Sequence, residues 1–580
     1  MKPSKRKRLP IGFSDFKELR EDDCYYVDKS EFIREIIDTH AKVILLPRPR
    51  RFGKTLNMSM LRYFLEKTDG DRKHLFDGLA IRNDKYFRMY HGKYPVIWLT
   101  FKDLKEASWE HLYQHLTNLI RDEFLRHDFL LGSELLHRSE KAYFTSVLEQ
   151  KAEVPDYEAA LRYLSDYLSR YHGQKAVILI DEYDTPLHAG YAGGYYDDAI
   201  RFVRNFLSGG LKDNVNLFKG VLTGILRVAR ESVFSGLNNP GVYTLLDEEF
   251  DTCFGFTEEE TGALLGDFGI PDRLGEVSHW YNGYLFGQRV IYNPWSVLSY
   301  TASKSRKARP WWVNTADTGL IDKLATRSGK ELREELGQLI EGKRLEKPVY
   351  ESIVMRDLET RDDLLWSLLV FSGYLKPAEQ KDDECFALEI PNNEVRIIYR
   401  EMIRRWFDEK IESNQLREML RSLETGDVKL FERMLRVIVV RIMSYHDLSG
   451  EPEKVYHALV LGMLVWMSGK YDIRSNRESG YGRYDIMMKP KDPRAQGILI
   501  EFKRLDEDEE DEDQDSDSKR RKKKKKTPQK ALEEALKQIE ERGYAAELEA
   551  AGIRDILKLA VVFKGKELWV KQAEMTADTM

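Results

Sequence analysis

Gly53, Lys54 and Thr55 follow one another in RPRRFGKTL, and together they have the chemistry to hold a nucleotide phosphate. The glycine permits a tight turn whose backbone N–H groups face an anion, the ammonium group offsets β/γ-phosphate charge, and the hydroxyl reaches Mg²⁺. Arg51 and Phe52 lead into the turn and belong to the same expected binding segment. In the generic G-x-x-x-x-G-K-[ST] pattern the first glycine would stand at Arg48, so half of that signature is missing. The apolar run AVILIDEYD strengthens the case. It ends in Asp181, suited to a Mg²⁺ shell, and Glu182, suited to orienting or deprotonating an attacking water. An acidic pair that merely caps a helix after a core strand is the plainer alternative, and the partner loop argues against it. A third apolar run ends in Thr223, where a sensing hydroxyl and an ordinary strand-end hydroxyl are equally open. Arg227 and Arg230 beyond it fit a solvated or ion-paired helix face better than a γ-phosphate contact.

A second chemistry lies toward the C-terminus. In GRYDIMMKP and GILIEFKRL, Asp485 falls on one predicted strand and Glu501 on the next, and Lys503 shares the face of Glu501 by strand alternation. Two converging carboxylates can hold a Mg²⁺ that activates water and offsets charge on a pentavalent phosphate. Lys503 would steady the water or the scissile phosphate, and the Phe502 carbonyl would complete the metal shell. An E-x-K tripeptide says little in a chain with 33% charged residues. Its weight comes from ending an apolar strand, following a G-x-x-D strand and preceding a helix that carries Gln538. A surface salt-bridge cluster is the alternative.

Positioning these groups takes more than one core, since single cores stop growing near about 250–300 residues and this chain has 580. Four Val/Ile/Leu-rich runs in the first half, separated by helical stretches, predict buried parallel strands of an α/β domain over residues 1–300. Thr257 with Glu260 three residues on predicts a capping box opening a helix. A mostly helical connecting region is expected over 301–428, and a helix, strand, strand, helix, strand order over 429–580. The last segment is interrupted at 506–527 by an acidic block followed by lysines, which cannot bury apolar surface and predicts a disordered, solvated insertion. The 92 basic and 98 acidic residues nearly cancel, so any affinity for nucleic acid must be local. Cys24, Cys253 and Cys385 are too far apart for a zinc or disulfide framework, and no run of eighteen apolar residues exists. A cytoplasmic protein without a membrane span is the expectation, with the N-terminal KRKR a solvated tail.

The strings LPIGFSDFKEL, DKSEFI, RPRRFGKTL, LIDEYDTPL, FSGLNN, FGFTEEE, WYNGYLFG, YNPWSVLSY and WWVNT, in this order over residues 10–315, resemble the AAA-ATPase-like family commonly fused to a PD-(D/E)XK nuclease domain. In that family the arginine-rich loop is the usual form. The segment from Glu453 to Tyr544, with EKVYHAL, GYGRYD, IEFK and ALKQIEERGYA, resembles the nuclease partner. The resemblance implies a P-loop NTPase parallel sheet, a helical middle and a restriction-endonuclease-like α/β core. It makes Glu453 an auxiliary active-site carboxylate, with helix capping an equal reading, and Gln538 a supporting polar group; His457 reads as a core histidine. Trp280 and Trp295 default to core packing. The expected function is ATP binding and hydrolysis coupled to Mg²⁺-dependent cleavage of DNA or RNA. Nucleic acid, DNA first, and a homo-oligomer are the expected partners. The competing class is a nucleotide-operated switch or scaffold whose nuclease-like domain only binds nucleic acid or a protein.

Overall fold

The four apolar runs of the first half are strands β1 (Val43–Pro47), β2 (Val96–Thr100), β3 (Ala176–Asp181) and β4 (Leu217–Gly224). In the computed structural model they pair in parallel with a short β5 (Gly241–Val242), in the order β2-β3-β4-β1-β5. Every residue of β1 and β3 is buried, as expected of a sheet covered on both faces. The register aligns Thr100 with Asp181 and Leu46 with Thr223, so the carboxyl ends of β1 to β4 meet along one edge. Helix α1 (Lys54–Leu65) leaves that edge from the turn that follows β1. The description covers residues 7–227, 240–312, 330–340, 342–408, 413–442, 469–479, 482–505 and 527–573, with 460, 463, 464 and 467. Arg230, Glu453, His457 and residues 506–526 of the charged insertion lie outside it.

The helix Glu258–Asp267 opens with the expected capping box, Thr257 Oγ1 accepting from the Glu260 N–H and the Glu260 carboxylate from the Thr257 N–H. A hairpin of β6 (Tyr284–Phe286) and β7 (Arg289–Ile291) follows. The middle of the chain is helical, and it also holds a three-stranded antiparallel sheet of β8 (Leu345–Pro348), β9 (Lys376–Gln380) and β10 (Cys385–Glu389). Sequences such as LEKP and KPAEQ carry too few apolar residues to announce a strand. Packing divides the chain into one unit of residues 1–324 with 344–396 and another of 325–343 with 397–580. The stretch 301–428 is therefore shared between them.

The second unit holds a five-stranded sheet ordered β11 (Tyr471–Ser479), β12 (Gly482–Pro490), β13 (Gly497–Arg504), β14 (Ile556–Lys564) and β15 (Glu567–Gln572). Only β13 and β14 run parallel, and the chain crosses between them through helix α2 (Pro528–Glu541). Thr527 caps that helix, accepting from the Lys530 N–H, and Pro528 fills its first turn. Two strands beyond the expected order appear. The polar sequence YDIRSNRES forms β11, and the last apolar run folds back at Gly565, φ 54°, into the β14–β15 hairpin. Along β13, Ile498, Ile500 and Phe502 pack with Phe431 and Leu435 on one face, while Leu499 packs with Ile539 of α2 on the other. Alternation then sends Glu501 and Lys503 to the α2 face.

Candidate functional site

Gly53, at φ 88°, makes the left-handed turn into α1 that a side chain would strain. Lys54 is buried just behind it, and its Nζ donates to the carbonyls of Arg48 at 2.9 Å and Pro49 at 3.0 Å. Burial lowers the pKa of this ammonium group, against the opposing pull of Glu182, Asp181 and Asp184. Three hydroxyls converge on the fully buried Asp181: Thr55 at 2.7 Å and Thr100 at 3.4 Å on Oδ2, and Thr223 at 2.6 Å on Oδ1. Burial, then the charge of Glu182, raises the Asp181 pKa, while the Thr223 and Thr55 hydroxyls oppose the shift. A cleft of about 470 Å³ opens over residues 50–57 and is also lined by Glu182, Lys102, Tyr25 and Trp295. That volume is in the range of small-molecule sites. The hydroxyl of Thr55 against the carboxylate of Asp181 is the oxygen pair a phosphate-bound Mg²⁺ requires, so the residues fit a nucleotide with its metal.

In the second unit, Asp485 stands one register step beyond the Ile486–Ile500 pair, opposite Glu501. Its Oδ2 accepts the Phe502 N–H at 2.7 Å. Glu501 is 2% exposed. Its Oε1 accepts from Gln538 Nε2 and lies 3.6 Å from Lys503 Nζ, whereas its Oε2 is buried with no hydrogen-bond partner. Burial, then the neighbouring Asp485, pushes the Glu501 pKa up to about 8, against the pull of Lys503. A buried carboxylate oxygen without a partner, beside a second carboxylate on the neighbouring strand, is an arrangement that a divalent cation satisfies. Asp485 and Glu501 fit Mg²⁺ on that ground; among the described residues no cluster of three metal-ligating side chains occurs.

Residues 10–234 match the family model described as a predicted AAA-ATPase, and residues 451–573 match the PD-(D/E)XK nuclease superfamily. The chain carries both domains. An uncharacterized protein in the vnfD 5′ region of Azotobacter chroococcum mcd 1 is 29% identical over 333 residues, 56% of this chain. The chain spans 57% of the length of that relative. Among solved structures, C. elegans PCH-2 is similar at 12% identity, over 59% of this chain and 67% of that one, with a TM-score of 0.20, too low to carry its fold over. No helix among the described residues is long and apolar enough to cross a membrane.

Within the first unit, several residues take places that spacing alone does not announce. Arg48, in the position of the missing glycine, is fully buried and is not among the residues that line the cleft. Its Nη1 donates to the carbonyls of Pro47 at 2.9 Å and Tyr243 at 2.8 Å, and its guanidinium lies over the Phe254 and Phe286 rings. Burial pushes its pKa down to about 10. The Phe52 ring is also buried, against Tyr284 and Phe286, so the WYNGYLFG segment anchors the loop from below. Trp280 packs on a core cluster as expected, whereas Trp295 corrects the default: it is half-buried, lines the cleft and lies under Arg51. Arg227 lies outside the cleft lining.

Sequence reasoning missed Asp184 and Tyr544. Asp184, fully buried, accepts the N–H groups of Ile225 at 2.8 Å and Leu226 at 2.9 Å and pairs with His188, tying the end of β3 to the end of β4. Burial alone would raise its pKa, but His188 and these backbone donors outweigh burial and lower it. Gly224 is the available signal, since a Cβ there would stand 2.7 Å from Asp184 Oδ1. In the nuclease-superfamily domain, Gln538 reaches Glu501 from α2 and also donates to the Tyr544 hydroxyl at 3.1 Å.

Proposed function

We propose that the AAA-ATPase-like domain binds and hydrolyses ATP, and that this cycle is coupled to Mg²⁺-dependent cleavage of phosphodiester bonds in DNA or RNA by the C-terminal domain. The observation that carries the reading is the buried Glu501 carboxylate, one oxygen without a partner, beside Asp485 and Lys503 on one face of β12 and β13. Asp485, oriented by the Phe502 N–H, and Glu501, oriented by Gln538, would hold the metal. When bound, Mg²⁺ lowers the pKa of a coordinated water and withdraws charge from the phosphate under attack. Lys503, about one-third exposed, would position that water or the scissile phosphate from the open side. In the first domain Lys54 would offset phosphate charge, Thr55 and Asp181 would hold the nucleotide's metal, Thr223 would fix Asp181, and Glu182 would orient water.

The test is cleavage of single- and double-stranded DNA and of RNA by the full chain in Mg²⁺. Asp485→Ala and Lys503→Ala are each expected to lower the rate by about a hundredfold or more. Equal cleavage by wild type and both variants would remove the catalytic assignment. ATP-dependent assembly with no cleavage of any nucleic acid would instead favour the switch or scaffold.

A further inference from the structure

We propose that Arg51 discriminates a nucleoside triphosphate from a diphosphate, leaving the Trp295 ring to engage the terminal phosphate. The inference rests on the reading of this cleft as a nucleotide site and adds what selects the nucleotide's phosphorylation state. The guanidinium carbon of Arg51 lies 4.4 Å from the centroid of the Trp295 ring, and the indole N–H is itself anchored on the Trp311 carbonyl at 3.3 Å. Both Arg51 and Trp295 line the cleft, with Lys54 and Glu182.

Three observations favour Arg51 as the group that reads the terminal phosphate. Its backbone is left-handed at φ 69°, and Glu182 is left-handed at φ 53°. Of the seven non-glycine residues with positive φ among the described residues, these two alone line the cleft, and strain of this kind is kept where the surroundings demand a particular side-chain direction. Glu182, the carboxylate that would orient the attacking water, lines the same cleft as Arg51 and Lys54 and is the first opposing charge acting on both. Finally, Lys54 is engaged by two carbonyls of its own loop, while Arg51 has a cation–π contact, a weaker hold than the charge-assisted hydrogen bonds a phosphate offers. The extra charge of a triphosphate over a diphosphate is what a movable guanidinium can read.

Dissociation constants for ADP and a non-hydrolysable ATP analogue, measured on the full chain in Mg²⁺, test this. Arg51→Ala is expected to weaken the analogue by about tenfold to a hundredfold, the value of a lost charged hydrogen bond, and ADP by less than about twofold. Arg51→Lys should recover part of the loss. The emission difference between wild type and Trp295→Phe should change with the analogue and not with ADP. Retained ADP binding shows that the variant is folded. Equal weakening of both nucleotides by Arg51→Ala, or of neither, would overturn the proposal while leaving the nucleotide site standing. A wild type that binds neither nucleotide removes the nucleotide site itself, and the proposal with it.

Discussion

Glu501 shows at the scale of one residue how a buried carboxylate opposes stability. Its pKa is pushed from an ordinary 4.5 up to about 8, by burial first and by Asp485 second. Between those two values the folded domain keeps a proton that the unfolded chain has released, so folding binds protons and stability falls as pH rises. The stability linked to this proton is fully present below about pH 4.5 and is lost by about pH 8. Metal-free wild type should therefore show a falling melting temperature for its C-terminal domain across this window. Glu501→Gln, which cannot ionise but can still accept from Gln538, should flatten the profile and melt higher near pH 8. Mg²⁺ should raise the melting temperature of wild type and leave the variant unchanged. Calorimetry in which both proteins follow one profile would contradict the burial argument.

At the scale of the element, the loop between β1 and α1 is held by a structural arginine where the generic pattern has glycine. Arg48→Gly restores the generic signature but strands the carbonyls of Pro47 and Tyr243 and empties the space over Phe254. It should destabilise the N-terminal domain by about 2–5 kcal/mol and weaken nucleotide binding; denaturant unfolding at unchanged stability would refute this role. The four parallel strands were legible because each is a Val/Ile/Leu-rich run, as strands of a covered sheet are, and Glu501 and Lys503 because they end such a run two residues apart and so share a face. Strand β11 was illegible because only Tyr471 and Ile473 of YDIRSNRES are apolar, and β8 and β9 because LEKP and KPAEQ carry few apolar residues. The resemblance implied for Gln538 only a supporting polar role, and its pairing with Glu501 was not legible, since nothing in the periodicity of α2 says which strand residue it meets. Asp184 was hidden because its partners across the sheet, at the end of β4, are backbone N–H groups, which every sequence has.

For the whole molecule, the two residue sets proposed to act on phosphate, Lys54 with Asp181 and Asp485 with Glu501, lie in separate units. The central claim is that the second set cuts nucleic acid under control of the first. One measurement addresses it: the Mg²⁺-dependent cleavage rate of DNA and RNA with and without ATP, with phosphate release followed in parallel, for wild type, Lys54→Ala and Glu501→Gln. ATP is expected to change the wild-type cleavage rate, Lys54→Ala to lose this response together with phosphate release, and Glu501→Gln to stop cleavage while phosphate release continues. Cleavage by Glu501→Gln at the wild-type rate would contradict the central claim.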